Sequence, residues 1–383
     1  MTIQRTQQTE LVEKLQKVLQ YLKETFIGKD EIIDLMGICL AGRENLFMLG
    51  PPGTAKSAMV RELARLLEGK TFEYLLTRFT EPSELFGPFD IRKLREGDLI
   101  TNTEGMLPEA SLIFLDELLN ANSAILNSLL MVLNEKVFRR GRETRDLPVL
   151  MVVGASNHLP EEEALQALFD RFLIRVKCDY VDPEQLSQVL VAGWSLEKRT
   201  NRERPNITAE DVKLLQQQTS SVDLGEIRSP YVELILKLRN AGLQVSDRRA
   251  VKLQRLIAAS ALLSSRTQAT ISDFWVLRYI WDTEEQQEII AGIVNGVIEK
   301  EGSNEQDHPR ARKNSAPDAD EIFSEITKMK ALWQSDETPS SERALIKDRL
   351  RHLSGRSEWI GNNHQKQYVK DASEELWKLI LQE

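Results

Sequence analysis

The sequence predicts an α/β domain built on a five-stranded parallel sheet with helices on both faces, followed by an all-helical region. Short apolar runs alternate with helical patterns through residues 1–182. The segment GPPGTAKS follows the first of these runs and precedes a helical pattern, which is the context of a phosphate-binding loop. After Pro183 no strand pattern recurs, and the rest of the chain follows helical spacing.

Five segments are predicted as strands because each is a short apolar run bounded by turn residues. In chain order they are NLFMLG, TFEYLLTRF, SLIFLDE, PVLMVVGASN and RFLIRVKCDYV. Two helices precede them, one through residues 11–22 that ends near Gly28 and one over residues 31–40. The segments SAMVRELARLLEG and SAILNSLLMVLNEK and residues 164–169 are predicted as helices between the strands. Ligands are expected at the carboxyl ends of the strands.

Three domains are predicted: an α/β nucleotide-binding domain over 1–182, an all-helical lid over 183–280 and a C-terminal helical bundle over 281–383. The stretch 301–317 is polar and poor in apolar residues, so it is predicted to be a flexible linker. The bundle is expected to combine four helical stretches, near 283–300, 318–333, 340–353 and 364–382.

Composition narrows the classes of function. The chain has 383 residues, 41% of them hydrophobic and 28% charged, as in ordinary globular proteins. Its net charge of -9 disfavours nucleic-acid binding through a clustered basic surface. Cys39 and Cys178 lie far apart in apolar surroundings, which predicts buried thiols in the reducing cytoplasm. The four histidines show no ligand spacing, so no structural zinc is expected. No stretch approaches the roughly 18 apolar residues of a membrane span.

Residues 50–57 match the phosphate-binding loop G-x-x-x-x-G-K-[ST] except at the sixth position, which is Ala55. The candidate ATP-binding residues are Gly50, Pro51, Pro52, Gly53, Thr54, Ala55, Lys56 and Ser57. Lys56 is expected to reach the β and γ phosphates, and the Ser57 hydroxyl to bind Mg²⁺. The methyl group of Ala55 is expected to be tolerated if the local backbone is right-handed. The alternative is a Gly/Pro turn that caps an ordinary helix.

Polar residues follow two of the predicted strands. Asp116 and Glu117 end a buried strand, where Asp116 would hold Mg²⁺ and Glu117 would activate the attacking water. Asn157 ends the next strand, where it could position that water. The alternatives are a helix N-terminus for the acidic pair and a turn or capping asparagine for Asn157.

Two arginine positions are candidates for contact with the γ-phosphate. Arg171 lies between a predicted short helix and the last strand, where it could reach the γ-phosphate of a neighbouring subunit. Arg248 or Arg249 begins a helix of the all-helical region and is suitable as a second phosphate sensor. For Arg171 the alternative is a solvated surface charge.

These residues together resemble the MoxR branch of the AAA+ ATPases, and most closely the RavA group within it. The segments that carry the resemblance are GPPGTAKS, TRFTEPSELFGPFDI, GMLPEASLIFLDELLNANSAILNSLLMVLNE, GASNHLP, ALFDRFLIR and VSDRR. An alanine before the loop lysine is common in that family. The chain differs from the RavA group at 301–317, where that group has a compact β-rich domain.

The resemblance implies Walker A at 50–57, Walker B at Asp116 and Glu117 and sensor 1 at Asn157. It also implies an arginine finger at Arg171 and sensor 2 at Arg248. A hexameric ring is implied, with a protein client that in this family is commonly a von Willebrand factor A protein.

Two insertions interrupt the α/β pattern. One is the Gly- and Pro-punctuated segment TEPSELFGPFDIRKLREGDLITNTEGML. The other, NEKVFRRGRETRDLP, is predicted to form a hairpin. It carries five basic residues: Lys136, Arg139, Arg140, Arg142 and Arg145. This run of basic residues predicts either a solvated turn or a loop that faces the pore of the ring or contacts a partner.

The sequence therefore predicts Mg²⁺-dependent ATP hydrolysis that remodels or matures a protein partner. One alternative is a switch or scaffold that binds ATP with little hydrolysis. Another is a nucleic-acid-dependent AAA+ motor, which the net charge disfavours. A GTPase is disfavoured because no N-K-x-D guanine-reading motif occurs.

Overall fold

The protein forms two compact units in a computed structural model, Met1–Val181 with Ser187–His308, and Asp182–Leu186 with Pro309–Glu383. The structure describes residues 2–96, 99–140, 143–160, 162–198, 204–301, 307–312, 319–334, 343, 346–347, 349–350, 353–354 and 363–381.

A five-stranded sheet forms the centre of the first unit, in the order β3-β4-β7-β1-β8 with every pair parallel. Its strands are β1 (Leu46–Leu49), β3 (Thr71–Leu75), β4 (Leu112–Asp116), β7 (Met151–Ser156) and β8 (Ile174–Lys177). All four residues of β1, which lies between β7 and β8, are buried, as expected for a strand covered on both faces. The predicted fold class is confirmed, with strands in all five predicted segments.

Two short strands were not predicted. β2 (Leu67–Glu68) pairs in parallel with β9 (Ile207–Thr208), although no strand pattern is visible after Pro183. Two residues are too few to establish a period, so the pairing depends on tertiary contact alone. The remaining strands, β5 (Val137–Arg140) and β6 (Glu143–Asp146), form the predicted antiparallel hairpin.

The helices are numbered in chain order. They are α1 (Thr2–Thr25), α2 (Asp30–Gly42), α3 (Lys56–Leu66), α4 (Pro82–Phe86), α5 (Ile91–Arg95), α6 (Ser123–Glu135), α7 (Glu163–Phe169), α8 (Leu186–Lys198), α9 (Ala209–Thr219), α10 (Arg228–Asn240), α11 (Asp247–Leu263), α12 (Gln286–Ile298), α13 (Pro309–Arg312), α14 (Ala319–Trp333) and α15 (Asn363–Leu381). A 3₁₀ segment, Ile271–Tyr279, lies between α11 and α12.

Helix α12 belongs to the first unit, which corrects its predicted place in the C-terminal bundle. It packs against Ile271–Tyr279 and α10, and it buries Ile290 and Val294, which lie on one face at i, i+4 spacing. The three-domain division of the chain otherwise stays a prediction.

The second unit contains α14 packed against α15, in the two regions where the first and last of the final three helices were predicted. Its apolar core consists of Ile322, Ile326, Met329, Trp333, Ile346, Leu350, Leu353, Val369, Leu376 and Ile380. Most of the helix predicted near 340–353 lies outside the described residues. Residues 302–306 and 313–317 of the predicted linker also lie outside them.

The hairpin is tied to the first insertion by two of its basic residues. Arg140 donates to the Gly87 carbonyl at 2.7 Å, and its guanidinium lies 4.0 Å from the centroid of the Phe89 ring. Arg145 donates to the Thr103 hydroxyl at 3.2 Å. We call residues 82–106 together with β5 and β6 the insertion arm. Arg142 lies outside the described residues.

Lys136, which follows the last residue of α6, is half-buried. Its ammonium donates to the Leu150 carbonyl at 3.3 Å, and burial lowers its pKa to about 7. The free cysteines Cys39 and Cys178 are both buried. Among the described residues, no helix is long and apolar enough to cross a membrane, and no group of three or more His, Cys, Asp or Glu side chains could hold a metal.

Candidate active site

The predicted phosphate-binding loop connects β1 to α3 at the carboxyl edge of the sheet. The Gly50 amide donates to the Ser156 carbonyl at 3.0 Å, which joins the start of the loop to the end of β7. A Cβ atom on Gly50 would clash with the Cys178 carbonyl, so only glycine fits at this close approach. The Thr54 hydroxyl donates to the Pro51 carbonyl at 2.9 Å and closes the turn.

Ala55 has a left-handed backbone, with φ 68° and ψ 16°. The right-handed backbone, on which the expected tolerance of the methyl group depended, is therefore not adopted. A left-handed conformation costs a non-glycine residue roughly 1–2 kcal/mol. The loop thus keeps the geometry that a glycine would adopt and carries local strain at its sixth position.

Lys56, the first residue of α3, is 7% exposed. Its ammonium donates to the carbonyls of Gly50 and Pro51, at 2.5 and 2.9 Å. The lysine charge therefore lies against the loop, at the position where it can meet a phosphate group of bound nucleotide.

Ser57 and Asp116 provide the candidate magnesium ligands. The Ser57 hydroxyl donates to the Asp116 Oδ2 atom at 3.0 Å, so β4 and α3 bring a hydroxyl and a carboxylate oxygen together. Mg²⁺ prefers such hard oxygen donors and is usually held by one or two of them together with water and phosphate oxygens. The two residues present therefore fit the ion that the loop implies.

Glu117 follows β4 and also has a left-handed backbone, with φ 51°. Its amide donates to the Asp116 Oδ1 atom at 3.0 Å. Burial, followed by the neighbouring Asp116 charge, raises the pKa of Glu117, while His158 and Lys56 oppose that rise. A carboxylate with a raised pKa is a better proton acceptor, which suits a general base.

Asn157 follows β7 and is exposed. The register pairs Leu49 with Ser156, so Asn157 lies beside the first residue of the loop. Lys56, Ser57, Asp116, Glu117 and Asn157 are thus gathered at one edge of the sheet, as the sequence predicts.

Arg171 and Arg248 are not at this edge. Ile174, the first residue of β8, pairs with Leu46, the first residue of β1, and Arg171 lies three residues before it. Arg171 is therefore at the amino edge of the sheet, opposite the loop. Arg171 and Arg248 line the same cavity of about 680 Å³, and the buried Nε atom of Arg171 has no hydrogen-bond partner.

The structure distinguishes the two arginines that the sequence left open. Arg248 is exposed and lines the cavity. The neighbouring Arg249 donates to both carboxylate oxygens of Asp282, at 3.1 and 3.2 Å. Arg248 is thus the better candidate for contact with nucleotide, because the Arg249 guanidinium is already bound.

Sequence reasoning missed the residues that support Arg171 at the amino edge of the sheet. The Asn45 amide group donates to the Arg171 carbonyl at 3.4 Å and accepts from the Val152 amide at 3.2 Å. Arg175 in β8 is fully buried. A charged residue within an apolar strand signals a buried ion pair, and that signal could have identified Arg175. Asn45 and Asp282 carry no such signal.

The chain matches two protein-family models. A family model for the MoxR domain in MoxR–vWA–β-propeller ternary systems matches residues 13–217, and a model for an AAA lid domain matches residues 224–294. An uncharacterized protein of Methanocaldococcus jannaschii is 34% identical over 309 residues, which are 80% of each chain.

Two further proteins are similar to parts of this chain. The chaperone MoxR1 of Mycobacterium tuberculosis is 26% identical over 183 residues, 47% of this chain and 48% of that one. A solved structure of a "putative ATPase" from Cytophaga hutchinsonii superposes with a TM-score of 0.64 at 21% identity. That match covers 76% of this chain and 97% of the other.

Proposed function

Because this chain belongs to the MoxR family of AAA+ ATPases, we propose that it hydrolyses ATP at a site shared by two copies of the chain. The observation that carries this proposal is the separation of the candidate residues. The binding loop and the base lie at the carboxyl edge of the sheet, whereas Arg171 and Arg248 lie at the amino edge.

One copy supplies the binding half of the site. The loop amides and the Lys56 ammonium bind the phosphates, and Ser57 with Asp116 holds Mg²⁺, which neutralises phosphate charge. The Glu117 carboxylate accepts a proton from the attacking water, and the Asn157 amide orients that water.

The neighbouring copy supplies the other half. Arg171, together with Arg248 of the same cavity, contacts the γ-phosphate and stabilises the charge that develops in the transition state. Repetition of such a head-to-tail contact closes into a ring if the rotation permits, and we propose a hexamer.

The output of hydrolysis is proposed to be remodelling or maturation of a protein client. The chaperone name of the MoxR1 relative supports this role, and the description of the matching family model supports a von Willebrand factor A protein as the client. Phe79, which is 90% exposed beside α4 of the insertion arm, offers an apolar contact for it. Similarity to the RavA group remains part of the proposal.

The test mixes two inactive variants. Arg171→Ala should bind ATP almost normally and lose roughly 10³-fold or more in turnover, because arginine fingers contribute that much. Lys56→Ala should lose ATP binding but keep its arginines. Their mixture should regain activity, because mixed interfaces combine an intact loop with intact arginines, and Arg248→Ala should behave like Arg171→Ala.

Three results would contradict the proposal. The shared site is wrong if the mixture forms rings yet regains nothing, or if Arg171→Ala alone retains its turnover. A wild-type protein that binds ATP but hardly hydrolyses it, even at high protein concentration, would instead be a switch or scaffold. Stimulation by nucleic acid would favour the motor interpretation.

A further inference from the structure

A single carboxylate in the interior of the first unit binds guanidinium groups from two separate elements. Asp282 lies between Ile271–Tyr279 and α12, and its Oδ1 atom accepts from Arg175 of β8. Both of its oxygens accept from Arg249 of α11, at 3.1 and 3.2 Å. The side chains of Arg175, Asp282 and Arg249 are only 0, 15 and 11% exposed, so the three groups form a buried bridge.

On the sheet side, the bridge leads to Arg171. Arg175 donates to the Phe169 carbonyl at 3.1 Å, and its guanidinium lies 4.1 Å from the centroid of the Phe169 ring. It also lies 3.6 Å from the Asp170 carboxylate. Phe169 is the last residue of α7, and Arg171 follows two residues later. Arg175 therefore fixes the point at which the chain leaves α7 and presents Arg171.

On the lid side, the bridge leads to Arg248. Arg249 donates to the Ile280 carbonyl as well as to Asp282, so its direction is set at two points. Successive side chains of a helix point about 100° apart. With Arg249 held toward Asp282, Arg248 faces the cavity that Arg171 also lines.

The bridge needs its carboxylate. Burial, followed by the Arg249 charge, lowers the pKa of Arg175 to about 10, while Asp282 and Asp170 oppose the change. If the Asp282 charge were removed, two guanidinium groups would face one another in a poorly solvated interior. Their separation would move α11 relative to β8, because each element carries one of them.

We propose that Asp282 is a positioning residue that sets Arg171 and Arg248 side by side, ready for the nucleotide of a neighbouring copy. Asp282 does not touch the nucleotide; it acts through Arg175 and Arg249. This role rests on the proposed shared site, and it adds that the lid and the sheet present their arginines as one preformed pair.

The experiment uses full-length Asp282→Asn, which keeps the size and one oxygen acceptor of the side chain. Misplacement of catalytic groups by about 1 Å can cost 10²-fold in rate, so we expect roughly a 10²-fold loss of kcat with KM for ATP nearly unchanged. The matched control is Glu284→Gln, two positions after Asp282. Glu284 forms an exposed ion pair with Lys177 of β8, with 3.1 Å between the ammonium and the carboxylate, and the substitution removes this pair. This control should keep wild-type turnover.

Mixtures identify the half of the site that has failed. Asp282→Asn should regain activity with Lys56→Ala, whose arginines are intact, and should regain none with Arg171→Ala. A general loss of stability would not distinguish between these two partners. Recovery with Arg171→Ala, no recovery with Lys56→Ala, or wild-type turnover of the single variant would each overturn the proposal.

Two further measurements separate the possible failures. If Arg171→Ala and Lys56→Ala fail to complement one another, the shared site itself is wrong, whatever Asp282 does. If Asp282→Asn does not fold, Arg249→Gln serves instead, because it leaves the Arg175–Asp282 pair in place. It should show the same partner dependence, and wild-type turnover of Arg249→Gln would overturn the proposal.

Discussion

The two edges of the central sheet are held in different ways. At the carboxyl edge, Lys56 and Glu117 are held by near neighbours in their own loops, since Lys56 donates to Gly50 and Glu117 donates to Asp116, and the contact between Ser57 and Asp116 joins the two loops. At the amino edge, the supporting groups come from distant parts of the chain. Asn45 binds the Arg171 carbonyl, and Asp282 binds both Arg175 and Arg249.

The carboxyl edge therefore provides the reacting groups, whereas the amino edge holds Arg171 in place. A change at the carboxyl edge should remove a reacting group and leave the fold intact, because the loop backbone still closes. A change at the amino edge should alter stability or the placement of Arg171, because buried charges there hold several elements together. The predictions below test this separation from the largest expected effect to the smallest.

The largest effect is expected for Glu117→Gln at the carboxyl edge. Loss of the general base should lower turnover by roughly 10³-fold, within the 10²–10⁴-fold range typical of such catalysis. ATP affinity and the unfolding midpoint should hardly change, because the amide keeps the shape of the side chain. Steady-state kinetics, nucleotide titration and thermal unfolding measure the three quantities.

The pH dependence of wild-type turnover provides a second readout of Glu117. The base must be deprotonated to act, and its pKa is raised by burial and by Asp116. The acid limb of the kcat/KM profile, which reports the free enzyme, should therefore lie above the ordinary glutamate pKa of about 4.3. A limb at that ordinary value, or a Glu117→Gln variant with wild-type turnover, would assign the base to another group.

A smaller effect is expected for Lys136→Met at the amino edge, and it should appear in stability, not in turnover. The pKa of Lys136 is about 7 in the folded protein and about 10.4 in an unfolded chain. Between these values the unfolded chain holds more protons, so a rise in pH favours the folded state. Between pH 7 and 9 this lysine should add about 2 kcal/mol to the free energy of unfolding.

Chemical unfolding at both pH values measures that contribution. Lys136→Met should lose the pH-dependent gain, because it removes the titrating group. Lys213→Met, a change at an exposed lysine that pairs with Glu210, should keep it. If both variants follow the wild-type pH dependence, the charge of Lys136 is solvated and the contrast between the edges is weaker than we describe.

The smallest effect is expected for Ala55→Gly in the binding loop. Release of the left-handed strain should raise the free energy of unfolding by about 1 kcal/mol, with ATP affinity within a few-fold of wild type. Gly53→Ala is the matched reverse change in the same loop. Gly53 has φ +82°, and no atom lies within 4 Å of the position that its Cβ atom would occupy.

Gly53→Ala should therefore destabilise the protein by a similar amount through backbone strain alone. Thermal unfolding of the two variants measures both signs. If Ala55→Gly destabilises the protein, then Ala55 is not strained in the folded state.

The carboxyl edge could be predicted because its chemistry lies in contiguous segments. Lys56 and Ser57 follow the first strand directly, and Asp116 with Glu117 ends another, so strand order alone brings them together. The backbone at Ala55 could not be predicted, because a left-handed alanine has no signature in a single sequence.

The amino edge was predicted in part. Arg171 and Arg248 were identified by residue type and position, but the contacts that hold them join residues far apart in the chain. Asp282 lies 107 positions from Arg175, and a single sequence contains no rule for that pairing. The same reason explains why α12 was assigned to the wrong bundle, since its period shows a buried face but not the surface that covers it.

Gly87 links the two parts of the insertion arm, residues 82–106 and the hairpin. Its φ is +97°, and a Cβ atom there would clash with the Asn102 carbonyl, so the insertion can close on itself only at a glycine. The carbonyl of the same residue accepts from Arg140 of the hairpin at 2.7 Å. Two loops far apart in the sequence are therefore joined at the backbone of Gly87, and the contact between Arg145 and Thr103 joins them at a second point, so a force applied to either loop is transmitted to the other.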